Sequence, residues 1–180
     1  MNRMLDIKKL NVEFEAGVRM LALRMPVSDA GTRKPKLFHD IRVGTYLYSH
    51  GYSRDIVLAG LFHDTLEFTD ISAEEIRNGF GEEVLRLVRA STKDDTIADG
   101  KEKTRELISH CVAAGEDALI VKATDILDSF AFYAAVENQG ELGYCMRNAD
   151  AIFAGKPDTF DDRIFSELKE WHERFADIPR

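Results

Sequence analysis

Apolar residues recur along this chain every three or four positions and almost nowhere at alternate ones, the pattern of amphipathic helices rather than strands. The period predicts helices over residues 7–24, 37–50, 54–67, 73–79, 82–90, 101–114, 116–136, 138–154 and 159–176. The breaks between them carry the residues that helix ends need. Gly51-Tyr52-Ser53 offers a turn and then an N-cap, Ser72 and Glu75 have capping-box spacing, and Gly81, Gly100, Gly115 and Gly155 stand at other ends. The fold class expected is therefore all-α. In the last segment Phe165, Leu168, Trp171 and Phe175 share one face, which is expected to pack onto the body of the protein.

Length and composition narrow the class. A chain of 180 residues, 44% of them hydrophobic, with four prolines and no low-complexity tract, reads as one ordered domain over residues 1–180 with a sizeable core. The apolar runs are too short for a bilayer, and the stretch from Met1 to Lys9 has no apolar signal core, so no membrane association and a cytoplasmic setting are expected. Cys111 and Cys145 sit on different predicted helices without CxxC spacing and read as buried thiols. A net charge of −8 argues against binding a nucleic acid polymer, whose phosphates the averaged field repels.

One predicted helix is interrupted chemically. Within Leu58-Ala59-Gly60-Leu61-Phe62-His63-Asp64-Thr65-Leu66-Glu67 the pair His63-Asp64 breaks an apolar stretch, and Glu67 follows His63 at i+4. Two further residues occupy similar apolar surroundings: His39 one helix earlier and Asp125 far downstream. Aspartate is rarely buried unless paired or ligated, so an acid in the apolar phase of a helix calls for a cation. His39, His63, Asp64 and Asp125 together make a mixed imidazole and carboxylate set suited to manganese, iron, zinc or magnesium, with positions left for water and substrate. Before His39, Arg33, Lys34 and Lys36 lie in a segment with Gly31 and Pro35, which reads either as a loop carrying cations to the metal-site entrance or as a solvated basic loop. Lys122, three residues before Asp125, shares its helical face and either neutralises a phosphate or snorkels to solvent.

The order His39, His63-Asp64, Asp125 resembles the HD-domain metal-dependent phosphohydrolases. Phe80-Gly81-Glu82-Glu83-Val84, Ser91-Thr92-Lys93-Asp94 and Val121-Lys122-Ala123-Thr124-Asp125-Ile126-Leu127-Asp128-Ser129 are similar, in order, to the hydrolase domain of RelA/SpoT-type alarmone enzymes, over about residues 31–135. The resemblance implies a single-domain HD helical bundle, with the C-terminal helices packed on that motif core. It also implies a divalent cofactor, manganese by family habit, and a small phosphorylated nucleotide as substrate, with (p)ppGpp 3′-pyrophosphohydrolase the leading activity. Another nucleotide phosphohydrolase, or a weakly catalytic nucleotide sensor, stands as the alternative. Glu67 would orient or deprotonate the attacking water. Where the family carries a second acid, this chain has Phe68, and Asp70 is the candidate replacement; where the family has a substrate-contacting Asn, it has Ser129. The family also has a basic segment before its first metal histidine, which favours phosphate contact for Arg33, Lys34 and Lys36.

Overall fold

A computed structural model of the chain describes residues 3–178, with side chains from Asp6 onward. Met1 and Asn2, part of the stretch read above as lacking a signal core, lie outside the described residues, as do Pro179 and Arg180. The elements in order are α1 (Arg3–Arg24), α2 (Lys36–Ser49), α3 (Arg54–Phe62), α4 (Thr65–Phe68), α5 (Ala73–Phe80), α6 (Glu82–Ser91), α7 (Gly100–Ala114), α8 (Glu116–Ala135), α9 (Gln139–Gly155) and α10 (Arg163–Arg174). Among the described residues there is no strand, and no helix is long and apolar enough to cross a membrane. The chain divides into two compact units, Met1–Arg89 and Ala90–Arg180, each with its own internal packing.

In the first unit α2 lies along α3, and α1 packs against both. Close approach depends on missing side chains: a Cβ at Gly60 would fall 2.3 Å from Leu47 Cδ1, and one at Gly44 would fall 2.9 Å from the Phe14 ring. Leu47, Val57, Leu58, Leu61 and Phe62 are buried there, and Phe62 meets Phe80 with ring centroids 4.5 Å apart. Arg54 ties three elements, donating through Nε and Nη2 to the two Glu13 carboxylate oxygens at 2.7 and 2.9 Å, and through Nη2 to the Phe80 carbonyl at 2.9 Å. These bonds to Glu13 hold its guanidinium above the ordinary arginine pKa. Caps fall where the residues predicted them: the Ser53 hydroxyl accepts from the Ile56 N–H, and Ser72 with Glu75 closes a reciprocal capping box.

The helix expected over residues 54–67 is two. It stops at Phe62, and α4 begins only at Thr65. His63 Nδ1 takes the Gly60 carbonyl at 2.8 Å, the acceptor that the next backbone N–H of a continuing helix would use, and Asp64 sits at φ −91°, ψ −5°. Periodicity cannot see this break, because the apolar phase resumes on the other side of it.

In the second unit α8 is the buried element, touching α7, α9 and α10. Leu119, Val121, Ala123, Ile126, Phe130 and Tyr133 leave almost no surface exposed. The amphipathic α10 buries Ile164, Phe165 and Leu168, and Phe175 stacks on Phe130 at 6.0 Å and 7° between planes, so the closing aromatic face packs as its spacing implied. Cys111 and Cys145 are both buried free thiols, and burial pushes the Cys111 thiol up to about 12, far from the thiolate range.

Candidate metal centre

The end of α3 and the start of α2 bring four ligand-bearing side chains together. His39, Asp40, His63 and Asp64 each offer one donor atom, all lying within 4.8 Å of one another, and all four residues are buried. The backbone places them in a simple way: His39-Asp40 lies on the first turn of α2, His63-Asp64 in the break after α3, and these helices are antiparallel neighbours along a glycine-lined contact.

The hydrogen bonds fix the tautomers. The Gly60 carbonyl only accepts, so His63 Nδ1 carries the proton and its Nε2 is left for another partner. Lys34 Nζ lies 2.9 Å from His39 Nε2, and an ammonium only donates, so that nitrogen presents its lone pair. The two Nε2 atoms face each other at 3.2 Å, a spacing that needs a proton or a cation between them. Two ligands at right angles on an ion with bonds of about 2.1 Å stand about 3 Å apart, so the imidazoles match a metal-bound pair.

Asp40 makes the same point independently. Its side chain is 0% exposed, and neither carboxylate oxygen takes a hydrogen bond. His63 Nδ1 lies 3.9 Å from one of its oxygens. Burial first, and the neighbouring Asp64 charge after it, hold this carboxyl well above the ordinary aspartate range. A buried, orphaned carboxylate beside two converging imidazoles is what a divalent cation would satisfy, so the residues present fit a metal. Asp40 was missed in the sequence, although a signal was there: the His-Asp dipeptide occurs twice, at 39–40 and 63–64, each in an apolar setting.

The basic segment closes on this cage. Lys34 is buried against His39, and Lys36 Nζ bonds Asp64 Oδ2 at 2.8 Å while lying 3.8 Å from the centre of the Phe68 ring. Phe68, where an acid was expected by resemblance, thus serves as an aromatic face for a lysine. Arg33 is exposed. Glu67 is half-buried on α4, just past the break. Asp70 lies exposed, and its carboxylate is paired with Arg24, whose hydrogen bond holds it below the ordinary aspartate range; that pairing draws it toward α1 instead of the cage.

Asp125, Lys122 and Ser129 belong to the second unit, where all three are buried on α8. Lys122 Nζ bonds Asp125 Oδ2 at 2.7 Å, and the Ser129 hydroxyl donates to Asp125 Oδ1 at 3.4 Å. Burial alone would lower the Lys122 ammonium, but the Asp125 charge more than offsets it and holds the pKa above the ordinary lysine value. Lys122 therefore does not snorkel. The remaining three histidines have local partners: His50 Nδ1 meets the Tyr46 carbonyl at 2.7 Å, His110 Nε2 lies 3.4 Å from Glu106 and His172 Nε2 meets Asp150 at 2.8 Å.

An all-helical chain with paired His-Asp motifs in a buried cage defines a class, and the chain belongs to the HD-domain family, whose model matches residues 20–153. That match extends the motif core of 31–135 at both ends. Among characterised relatives, a guanosine-3′,5′-bis(diphosphate) 3′-pyrophosphohydrolase of Aquifex aeolicus is 35% identical over 100 residues, which is 54% of this chain and 14% of that protein. The Danio rerio enzyme of the same description, MESH1, is 34% identical over 95 residues, 52% of each chain. This chain thus spans about half the length of the MESH1 relatives it matches, and far less of the Aquifex protein. A solved structure described as a metazoan ortholog of SpoT that hydrolyses ppGpp superposes with a TM-score of 0.71 at 22% identity, covering 90% of this chain and 94% of that one. A Listeria monocytogenes structure superposes at 0.62 over 76% of this chain and 97% of its own. The expected similarity to the alarmone hydrolases is thus found again in these relatives.

Proposed function

We propose that this protein is a metal-dependent phosphohydrolase of nucleotides, with (p)ppGpp 3′-pyrophosphohydrolase as the leading activity and manganese as the leading ion, iron, zinc and magnesium being the alternatives. The observation that carries the reading is the buried, orphaned Asp40 carboxylate beside the two converging imidazoles. The relatives' described activity supports the substrate class. His39, His63 and Asp64 are metal ligands in this reading, with Asp40 as an added carboxylate, and the resemblance implies Asp125 as a further one. A cytoplasmic setting is part of the same proposal.

When bound, the ion lowers the pKa of a coordinated water and polarises a phosphoryl oxygen. The chain's own residues supply the rest. The Gly60 carbonyl holds His63 in the tautomer that presents Nε2, and Lys122 with Ser129 holds the Asp125 carboxylate in place. Glu67 takes the proton of the attacking water, while Arg33, Lys34 and Lys36 offer cations to phosphate oxygens. Asp70 is left out of the mechanism because Arg24 already holds it.

Phe68 favours a second reading, a phosphohydrolase of another nucleotide or a slow nucleotide-binding sensor, since an aromatic face replaces a general acid or base there. Incubating the manganese-loaded protein with ppGpp and a panel of nucleotides separates them: pyrophosphate from ppGpp supports the first, orthophosphate from another nucleotide the second, and tight binding without product the sensor. Glu67→Gln is expected to keep manganese while kcat falls about 10²- to 10⁴-fold. Unchanged turnover in that variant would remove Glu67 from the mechanism. Manganese at about a hundred times its Kd is expected to stabilise the fold by roughly 2.7 kcal/mol, raising Tm by about 5–10 °C. A melting curve indifferent to both manganese and chelator would refute a resident ion.

A further inference from the structure

We infer that Lys34 and Lys36 are the cage's internal counter-ions: they compete with the metal for its ligand atoms, and once displaced they become the cations that grip the substrate's phosphates. This inference rests on the metal reading above and names how that site is filled and emptied. Three contacts carry it. Lys34 Nζ sits at 2.9 Å on His39 Nε2, one of the two converging imidazole nitrogens, and Lys36 Nζ sits at 2.8 Å on Asp64 Oδ2. Both ligands belong to the four-residue cluster, so each ammonium occupies a lone pair that an ion needs. The third contact is Lys36 over the Phe68 ring at 3.8 Å.

The physical logic is charge replacement. The cage gathers two aspartates in a buried space, and a lone buried charge is unstable without a counter-charge. Two lysines, one in the preceding loop and one at the first residue of α2, supply it in the metal-free protein. A divalent ion brings the same charge at shorter range, so the lysines become surplus where they stand and are repelled by it. They lie three and five residues before His39 in sequence, at the mouth of α2, and a short swing takes them to phosphate oxygens bound at that ion. Phe68 suits this exchange. An acid at that position would hold Lys36 as a buried ion pair, whereas a ring face holds it weakly enough to release.

The experiment uses the full chain. Amine acetylation followed by mass spectrometry reads each lysine with chelator and with saturating manganese, the exposed Lys169 serving as reference. Lys34 and Lys36 are expected to label slowly without metal and about fivefold faster with it, as local release exposes them. In calorimetric titrations, Lys34→Met and Lys36→Met are each expected to bind manganese about tenfold more tightly, since a repelling charge is gone. The manganese-loaded variants are expected to bind inorganic pyrophosphate about tenfold more weakly. Manganese affinity equal to or below wild type in both variants, or lysines still protected at saturation, overturns the inference while leaving the metal reading intact. Failure of the wild-type protein to bind manganese at all overturns both.

Discussion

Asp64→Ala is expected to abolish manganese binding and nucleotide hydrolysis together, while the metal-free protein folds as well as wild type. Substituting a partner that merely orients a ligand costs about 10- to 100-fold in metal affinity, so removal of a ligand itself is expected to exceed a hundredfold. Stability behaves differently. Asp64 and Asp40 are like charges sharing one buried space, and Asp64 is among the causes that raise the Asp40 carboxyl. Deleting one removes a repulsion, though it also strips Lys36 of its hydrogen bond, leaving it the Phe68 face and the Asp40 charge at the cage. The Lys36–Asp64 pair is largely shielded from water, its side chains 19% and 6% exposed, but the lost bond and the lost repulsion oppose each other, so the net change is expected to be small. Calorimetry with manganese and a thermal melt in chelator check the pair of outcomes. A variant that retains manganese with near-native affinity would place the ion elsewhere.

Lys122→Met is expected to have the largest effect on stability. Lys122 is 2% exposed and bonded to Asp125, itself buried at 7%, so its removal strands a buried carboxylate. Breaking such a pair from one side costs about 3–5 kcal/mol, or roughly 10 °C in Tm for a chain of this size. The double variant Lys122→Met with Asp125→Asn removes both charges and is expected to recover most of the loss, because the pair against apolar or neutral substitutes is close to break-even. Thermal melts of the two singles and the double complete the cycle, and additive losses would show that the two side chains do not act as a pair. The pH dependence has a definite sign. The folded ammonium has a raised pKa, so its contribution is fully present below the unfolded value of about 10.4 and is lost only as pH rises through the folded one. Neutral or mildly acid buffers therefore leave this contribution untouched.

Much of the architecture was legible in the sequence. Nine helical segments were readable from period alone, and eight correspond to single helices with ends shifted by a few residues, because apolar phase and capping residues are local properties. The ninth, over 54–67, concealed the break at His63-Asp64, which depends on a side chain taking a backbone carbonyl. His39, His63 and Asp64 stood out as polar residues in apolar phase. Asp40 did not, although it is the most deeply buried acid of the cage, since it lies about 100° around the helix from His39 and its signal lay only in the repeated His-Asp dipeptide.

The lysines show the same division. Their charge and position before His39 were evident, yet whether they faced solvent or ligands was open until Lys34 was found buried on an imidazole. Ser129 and Lys122 were expected to face substrate, and each is bonded to Asp125. Asp70 and Phe68 exchanged roles in a sense, the acid drawn off by Arg24 and the ring turned to Lys36.

The sequence by itself determined that this protein is helical, which residues make its core, and that imidazoles and carboxylates recur where water is excluded. Those follow from period, propensity and the cost of burying charge, all of which act along the chain. Only the tertiary structure decided which donors converge, which tautomers they adopt and which cations balance them. Such decisions turn on distances of about 3 Å between residues on different helices, where Coulomb and hydrogen-bond energies change steeply and sequence spacing carries no information.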